Sequence, residues 1–160
     1  HYDRAEQGVF ADYVVIMGYD EHYAGSEEAG SVASIGYVQQ GIEKTLSEVP
    51  KGKVINAIPF YTRFWKTDAD GTVTSEALGM NDADQKVKNN NAEPVWDDTT
   101  KQYYVEIEYD GATYQMWMEE ETSIEEKMKL IKQYELAGVS SWRLGYERPS
   151  IWDVILKYVN

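Results

Sequence analysis

No cysteine occurs in this chain of 160 residues, which excludes disulfides and cysteine-ligated metals. Histidine is almost missing too: there are two, His1 and His22, and no spaced His/Asp/Glu set suggests a metal centre. Basic residues are scarce. Fifteen Lys and Arg face 28 Asp and Glu, giving a net charge of −13. That deficit argues against nucleic acid, which needs a basic footprint, and disfavours adsorption to an anionic membrane. No apolar run approaches the length of a membrane span, and no secretory signal is recognisable in this segment. A glycine-rich phosphate loop and a plausible Ser-His-Asp trio are also missing. No cofactor is expected.

Length and a hydrophobic content of 42% suffice for one domain with a real core. Phenylalanine is rare, at three residues, whereas tyrosine reaches 13 and tryptophan five. Tyr and Trp join a flat apolar face to a polar handle. That combination suits sugars, although it also suits the edge of an ordinary core.

The most informative segment is DYVVIMGYDEHY, residues 12–23. Its run Val14-Val15-Ile16-Met17 is apolar on both faces, as in a parallel strand covered on both sides. It ends in Gly18-Tyr19-Asp20-Glu21-His22, and polar groups at the C-terminal end of such a strand lie where α/β folds keep their ligand sites. The spacing predicts a strand over 12–19 and a polar loop over 21–33. A helix over 34–49 follows, capped by Ser34 and buried through Ile35, Val38, Ile42, Leu46 and Val49. A second apolar strand spans 54–61, with Pro59 near its end. Strand, helix and strand make a βαβ unit with a right-handed crossover.

The pattern changes after Lys66. A polar turn over 67–72 contains Asp70-Gly71, a short helix is expected between 75 and 89, and Asn89-Asn90-Asn91 breaks it. Residues 94–118 read as antiparallel strands about an Asp110-Gly111 hairpin turn. Pairing outward from that turn sets Tyr109 against Ala112, Ile107 against Tyr114 and Val105 against Met116. The alternate pairs are Glu108 with Thr113, Glu106 with Gln115, and Tyr104 with Trp117. One face is then apolar and the other mostly polar, which fixes the register. A helix starting at Ser123, with Glu126 completing a capping box, is expected to stop at Gly138. A third strand over 139–145 and a helix over 151–158 complete the chain.

MGYD on the first strand, IPFYTRFW on the second and SSWRLGYE on the third resemble strands six, seven and eight of family-18 glycoside hydrolases, the chitinase-like (β/α)8 barrels. The wording is most similar to the branch found in spore-cortex and cell-wall hydrolases of spore-forming bacteria. The resemblance implies an α/β fold, a partial TIM barrel with an inserted α+β lobe. Residues 1–65 and 119–160 would be barrel and 66–118 the lobe. It also implies an extracellular, cell-wall or spore-associated setting and an N-acetylglucosamine-containing polysaccharide as partner. The family signature DxxDxDxE, which bears the general acid, does not occur in this chain. The acid-bearing part is therefore expected upstream of His1, and this fragment alone is expected to be inactive.

The family's reaction is substrate-assisted and retaining: the sugar's own acetamide oxygen attacks the anomeric carbon. By position-matching, Tyr19 would hydrogen-bond that acetamide and Asp20 would line the subsite, as the catalytic pair. Met17 would pack beneath the sugar, Tyr61 and Arg63 would extend the subsites, and Trp142 would form the apolar floor. Glu119 is a candidate for facing the cleft, beside the commoner reading of Glu119–Glu121 as a helix-start charge cluster. His22 reads as a loop contact. Three parallel strands cannot close a barrel, so strand edges are expected to be covered by the missing N-terminal half or by a second copy. Rival readings are a non-catalytic saccharide-binding module and a protein-interaction module.

Overall fold

A computed structural model describes residues 3–159; His1, Tyr2 and Asn160 lie outside the described residues. In chain order the elements are α1 (Arg4–Phe10), β1 (Val14–Met17), α2 (Ile35–Leu46), β2 (Val54–Pro59), β3 (Tyr61–Thr67), β4 (Val73–Gly79) and α3 (Met80–Asn89). Then come β5 (Val95–Asp97), β6 (Gln102–Tyr109), β7 (Ala112–Met118), α4 (Glu121–Gln133), β8 (Gly138–Trp142) and α5 (Ser150–Leu156). They form two sheets: a parallel one ordered β1-β2-β8 and an antiparallel one ordered β4-β3-β7-β6-β5.

The parallel register places Met17 beside Ala57 and Ala57 beside Ser140, with Pro59 beside Trp142 one pair further on. One face of this sheet carries helices. Ile58 and Phe60 pack with Ile124, Met128 and Ile131 of α4 and with Ile151 of α5. Val38 and Ile42 of α2 pack with Ile16, Tyr61 and Leu130. The other face is open along β1, where Val15 is 52% exposed and Met17 68%, although Ala57 beside Met17 is only 4% exposed. The expectation that β1 is covered on both sides is therefore not met among the described residues. Two edges, those of β1 and β8, carry no strand partner among the described residues.

Several boundaries depart from the sequence reading. The second apolar run is two strands. Pro59 cannot donate to a ladder, Phe60 N–H bonds instead to the Trp142 carbonyl at 2.8 Å, and Tyr61 already belongs to the antiparallel sheet. That sheet thus begins five residues before Lys66. The first third of the expected 75–89 helix is β4, which pairs with β3 over its full length across the 68–72 turn; the remaining two thirds are α3.

Helix α4 starts earlier than expected. Glu120 is its N-cap, accepting from Thr122 N–H at 2.9 Å and Ser123 N–H at 2.8 Å, while Ser123 Oγ accepts from Glu120 N–H at 3.0 Å. Ser123 is thus the inner member of the box rather than its cap. The helix also stops before Gly138. Glu135 takes a left-handed φ of 51°, its N–H bonds to the Lys132 carbonyl, and Leu136 N–H bonds to the Ile131 carbonyl, a Schellman closure with no glycine in it. Gly138 instead opens β8, which ends at Trp142 rather than Gly145. The last helix is shorter than read, ending at Leu156. The hairpin register of β6 and β7 is as derived from the sequence in all six pairs.

Gly41 lies inside α2, where a Cβ would meet nothing within 4 Å. Gly41→Ala should raise stability by about 0.5–1 kcal/mol by lowering the entropy of the unfolded chain. Urea unfolding checks this; a loss of stability would contradict it.

Candidate functional site

The C-terminal ends of the parallel strands and the first residues of β3 meet in one region. Past β1 the chain runs through Gly18, whose N–H bonds to the Ala57 carbonyl at 3.0 Å, and then turns at Asp20. Asp20 has a φ of 62°, a left-handed conformation that Asp tolerates better than most residues. The turn aims its carboxylate at Tyr61, whose hydroxyl donates to Asp20 Oδ1. The Tyr19 and Tyr61 rings meet edge to face with centroids 6.2 Å apart. A phenol that sequence periodicity did not flag, Tyr37 of α2, donates to the Tyr19 carbonyl at 3.3 Å. Its only sequence signal is a position one turn after the Ser34 cap.

Electrostatics keep these phenols protonated. Burial raises Tyr61 well above the ordinary phenol range, and the Asp20 carboxylate adds to it while Arg63 opposes. Burial, and then Asp20, raise Tyr19; burial, Glu21 and Asp20 raise Tyr37. The region therefore offers neutral O–H groups and one carboxylate, a donor–acceptor set suited to an uncharged polar ligand.

The other expected residues divide into three groups. Arg63 donates from Nη1 to Ser75 Oγ at 3.0 Å, while its buried Nε has no hydrogen-bond partner among the described residues. Trp142 ends β8 at the same end of the parallel sheet and is 54% exposed; Met17 lies on the open face in the row of Ala57 and Ser140. Glu119 does not face this region. It is 1% exposed, and Lys127, Ser123 and Gln102 hold both its oxygens at 2.7–3.1 Å. The reading of Glu119 as cleft-facing is corrected: one residue past β7, it is enclosed by Gln102 of β6 and by Ser123 and Lys127 of α4. His22 is a loop contact, its Nδ1 lying 2.8 Å from the Ser31 carbonyl.

The chain is also similar to known proteins. The sequence pattern of the family described as Glycosyl hydrolases family 18 matches residues 1–147. The uncharacterized glycosylase YvbX of Bacillus subtilis (strain 168) is 33% identical over 157 residues, 98% of this chain and 45% of that protein. The cortical fragment-lytic enzyme of the same organism is 29% identical over 161 residues, covering 99% and 37%. Among solved structures, a chitinase from Chromobacterium violaceum ATCC 12472 superposes with a TM-score of 0.89 at 27% identity, over 99% of this chain and 49% of that one. The Bacillus cereus spore cortex-lytic enzyme SleL does so with a TM-score of 0.89 at 25% identity, over 99% and 38%. The chain spans less than half the length of each of these relatives.

Proposed function

This chain belongs to glycosyl hydrolase family 18, and from that premise we propose that it is the C-terminal part of a catalytic domain cleaving β-1,4 linkages beside N-acetylglucosamine, in peptidoglycan or chitin. The observation that carries the reading is that the Tyr19–Asp20–Tyr61 cluster and an exposed Trp142 both lie at the C-terminal ends of co-directional strands. A protonated phenol at Tyr19 suits the acetamide oxygen, whose nucleophilic attack needs the group held and oriented rather than deprotonated. Asp20, locked by Tyr61, would face the positive charge that develops as the acetamide closes on the anomeric carbon. Trp142 would give the apolar sugar face a floor, and Met17 and Arg63 would border it.

In this reading the parallel sheet is strands six to eight of a (β/α)8 barrel. The antiparallel sheet with α3 is the inserted lobe, running from Tyr61 rather than from Lys66. The open face and the β1 and β8 edges would be covered by the remaining barrel strands of the parent, or by a second copy. The general acid belongs to the DxxDxDxE segment, which this sequence lacks, so the 160 residues alone bind sugar without hydrolysing it. The names of the spore cortex-lytic relatives support a cell-wall or spore setting.

The test is titration calorimetry with N-acetylglucosamine tetramer, alongside reducing-end release from the tetramer and from cortex muropeptides. Weak binding without turnover is expected. Trp142→Ala should weaken binding about 10–100-fold, the worth of one buried aromatic face, and Tyr19→Phe should weaken it as well. Turnover by this polypeptide alone would refute the fragment's inactivity. Binding indifferent to both substitutions would refute the saccharide site and favour a protein-interaction surface.

A further inference from the structure

Five polar side chains form a connected network in the interior: Ser31, Gln102, Glu119, Ser123 and Lys127, none more than 4% exposed. Ser31 Oγ donates to Gln102 Oε1 at 2.5 Å, and Gln102 Nε2 donates to Glu119 Oε1 at 2.8 Å. Glu119 Oε2 accepts from Ser123 Oγ at 2.7 Å, and Lys127 Nζ lies 2.9 Å from Oε1. A buried ion pair is a poor source of net stability compared with apolar packing of the same volume. Its retention calls for another explanation, and the connectivity supplies one.

Gln102 lies in the antiparallel sheet, Ser123 and Lys127 lie in α4, Glu119 joins the two, and Ser31 is the member that belongs to neither. It lies in the loop between β1 and α2, and its own segment folds back on the residues just after Asp20. Glu21 N–H bonds to the Val32 carbonyl at 2.9 Å, His22 N–H bonds to the Ser31 carbonyl at 3.2 Å, and the His22 ring reaches that same carbonyl. Ser31 Oγ also accepts from Ala33 N–H at 3.0 Å. Nearby, Trp65 Nε1–H donates to the Gly30 carbonyl at 2.8 Å, and a Cβ on Gly30 would run into the His22 ring. The segment between β1 and α2 has no helix or strand of its own, so these contacts fix the backbone immediately after Asp20.

We propose that Ser31, Gln102 and Glu119 form a pin that fastens this loop to the lobe and thereby positions the Asp20–Tyr61 pair. They are positioning residues: none touches the candidate sugar position. The inference rests on the saccharide reading for its functional meaning, but its geometry stands apart from any sugar. Tyr61 and Gln102 sit on different strands of one sheet, so Asp20 is held from two sides, by Tyr61 directly and by the pinned loop behind it. Movement between sheet and loop would separate Asp20 from its partner.

The experiment uses the 160-residue chain, with Ser31→Ala and Gln102→Leu cutting the same hydrogen bond from opposite sides. Amide hydrogen exchange is followed over 21–33 and over α4, and the Tyr61 hydroxyl proton, assigned by its loss in Tyr61→Phe, is followed by NMR. Each variant should speed exchange over 21–33 about tenfold or more, leave α4 protected in Ser31→Ala, and abolish the Tyr61 hydroxyl resonance by opening it to solvent. The double variant should fall clearly short of the sum of the singles, because both remove the Ser31–Gln102 bond, although each also loses a bond of its own, to Ala33 N–H and to Glu119 respectively. Faster loop exchange with an intact Tyr61 resonance would reduce the network to a structural tie and overturn the proposal. So would unchanged exchange, or fully additive effects. If Trp142→Ala and Tyr19→Phe leave sugar binding unaltered, it is the saccharide reading that fails, since neither readout here involves sugar.

Discussion

Lys127→Met should destabilise the chain by about 3–5 kcal/mol at neutral pH, the cost of leaving a buried charge without its partner. Lys127 and Glu119 are each 1% exposed and lie 2.9 Å apart. Burial already pushes the Glu119 carboxyl above the ordinary range, and Lys127 and Ser123 work against that rise. Removing Lys127 lets it climb further. The sign of the pH effect follows. A carboxyl whose folded-state pKa exceeds its unfolded one lends stability below the unfolded pKa and loses it as pH rises through the folded one. The deficit of Lys127→Met relative to the parent should therefore shrink toward about pH 4 and grow toward pH 8. Urea unfolding across that interval reads it directly, and a deficit independent of pH would contradict the account.

Glu119→Leu combined with Lys127→Met sharpens the same point. Swapping a buried pair for apolar groups is often neutral. Here, however, it strands Gln102 Nε2, while the Ser123 hydroxyl falls back on the Glu120 carbonyl at 3.1 Å. Such an unsatisfied group costs about 1–3 kcal/mol. The double substitution should recover only part of the loss.

What the sequence made legible, and what it hid, divides along one physical line. Periods of 2 and 3.6 set by burial were readable, so the parallel strands, α2 and the β6–β7 register emerged from pattern alone. Extending that register two residues past Tyr104 and Trp117 sets Gln102 against Glu119, so their adjacency was within reach of the same logic, but their burial was not, because they fall on the face that reads as polar. The ends of elements were harder. Glu120 caps α4 and Glu135 closes it, although the Ser123/Glu126 pattern and Gly138 suggested other positions. Caps depend on which donor a side chain reaches, and residue type signals that only statistically. β4 was missed because its seven residues are held by pairing with β3, a long-range contact that overrides local propensity. At the site, Tyr19, Asp20 and Tyr61 are brought together as side chains. Tyr37 joins them from a helix face that periodicity assigned to solvent.

Gly18→Ala should cost about 2–4 kcal/mol, and the reason is space rather than backbone dihedral. A Cβ there would lie 2.7 Å from Asn56 Oδ1 and 2.8 Å from the Ala57 carbonyl oxygen. Asn56 is fully buried and could in principle shift, but the Ala57 oxygen is backbone in the central parallel strand and is held by Gly18 N–H itself. Relief requires β1 to move away from β2, which breaks that bond. Overpacking contributes about 1–3 kcal/mol and the lost bond about 0.5–1.5. Asn56→Ala in the same chain removes one clash and leaves the other, so it should restore only a fraction, whereas Gly41→Ala should move stability the opposite way. The displacement is also directional. The residues carried outward are Tyr19 and Asp20, so the Tyr61 hydroxyl resonance should vanish along with the stability, and N-acetylglucosamine tetramer should bind at least about tenfold more weakly. Loss of stability with unaltered affinity would mean that the end of β1 and the sugar position are unconnected, and that Tyr19 and Asp20 do not belong to the site.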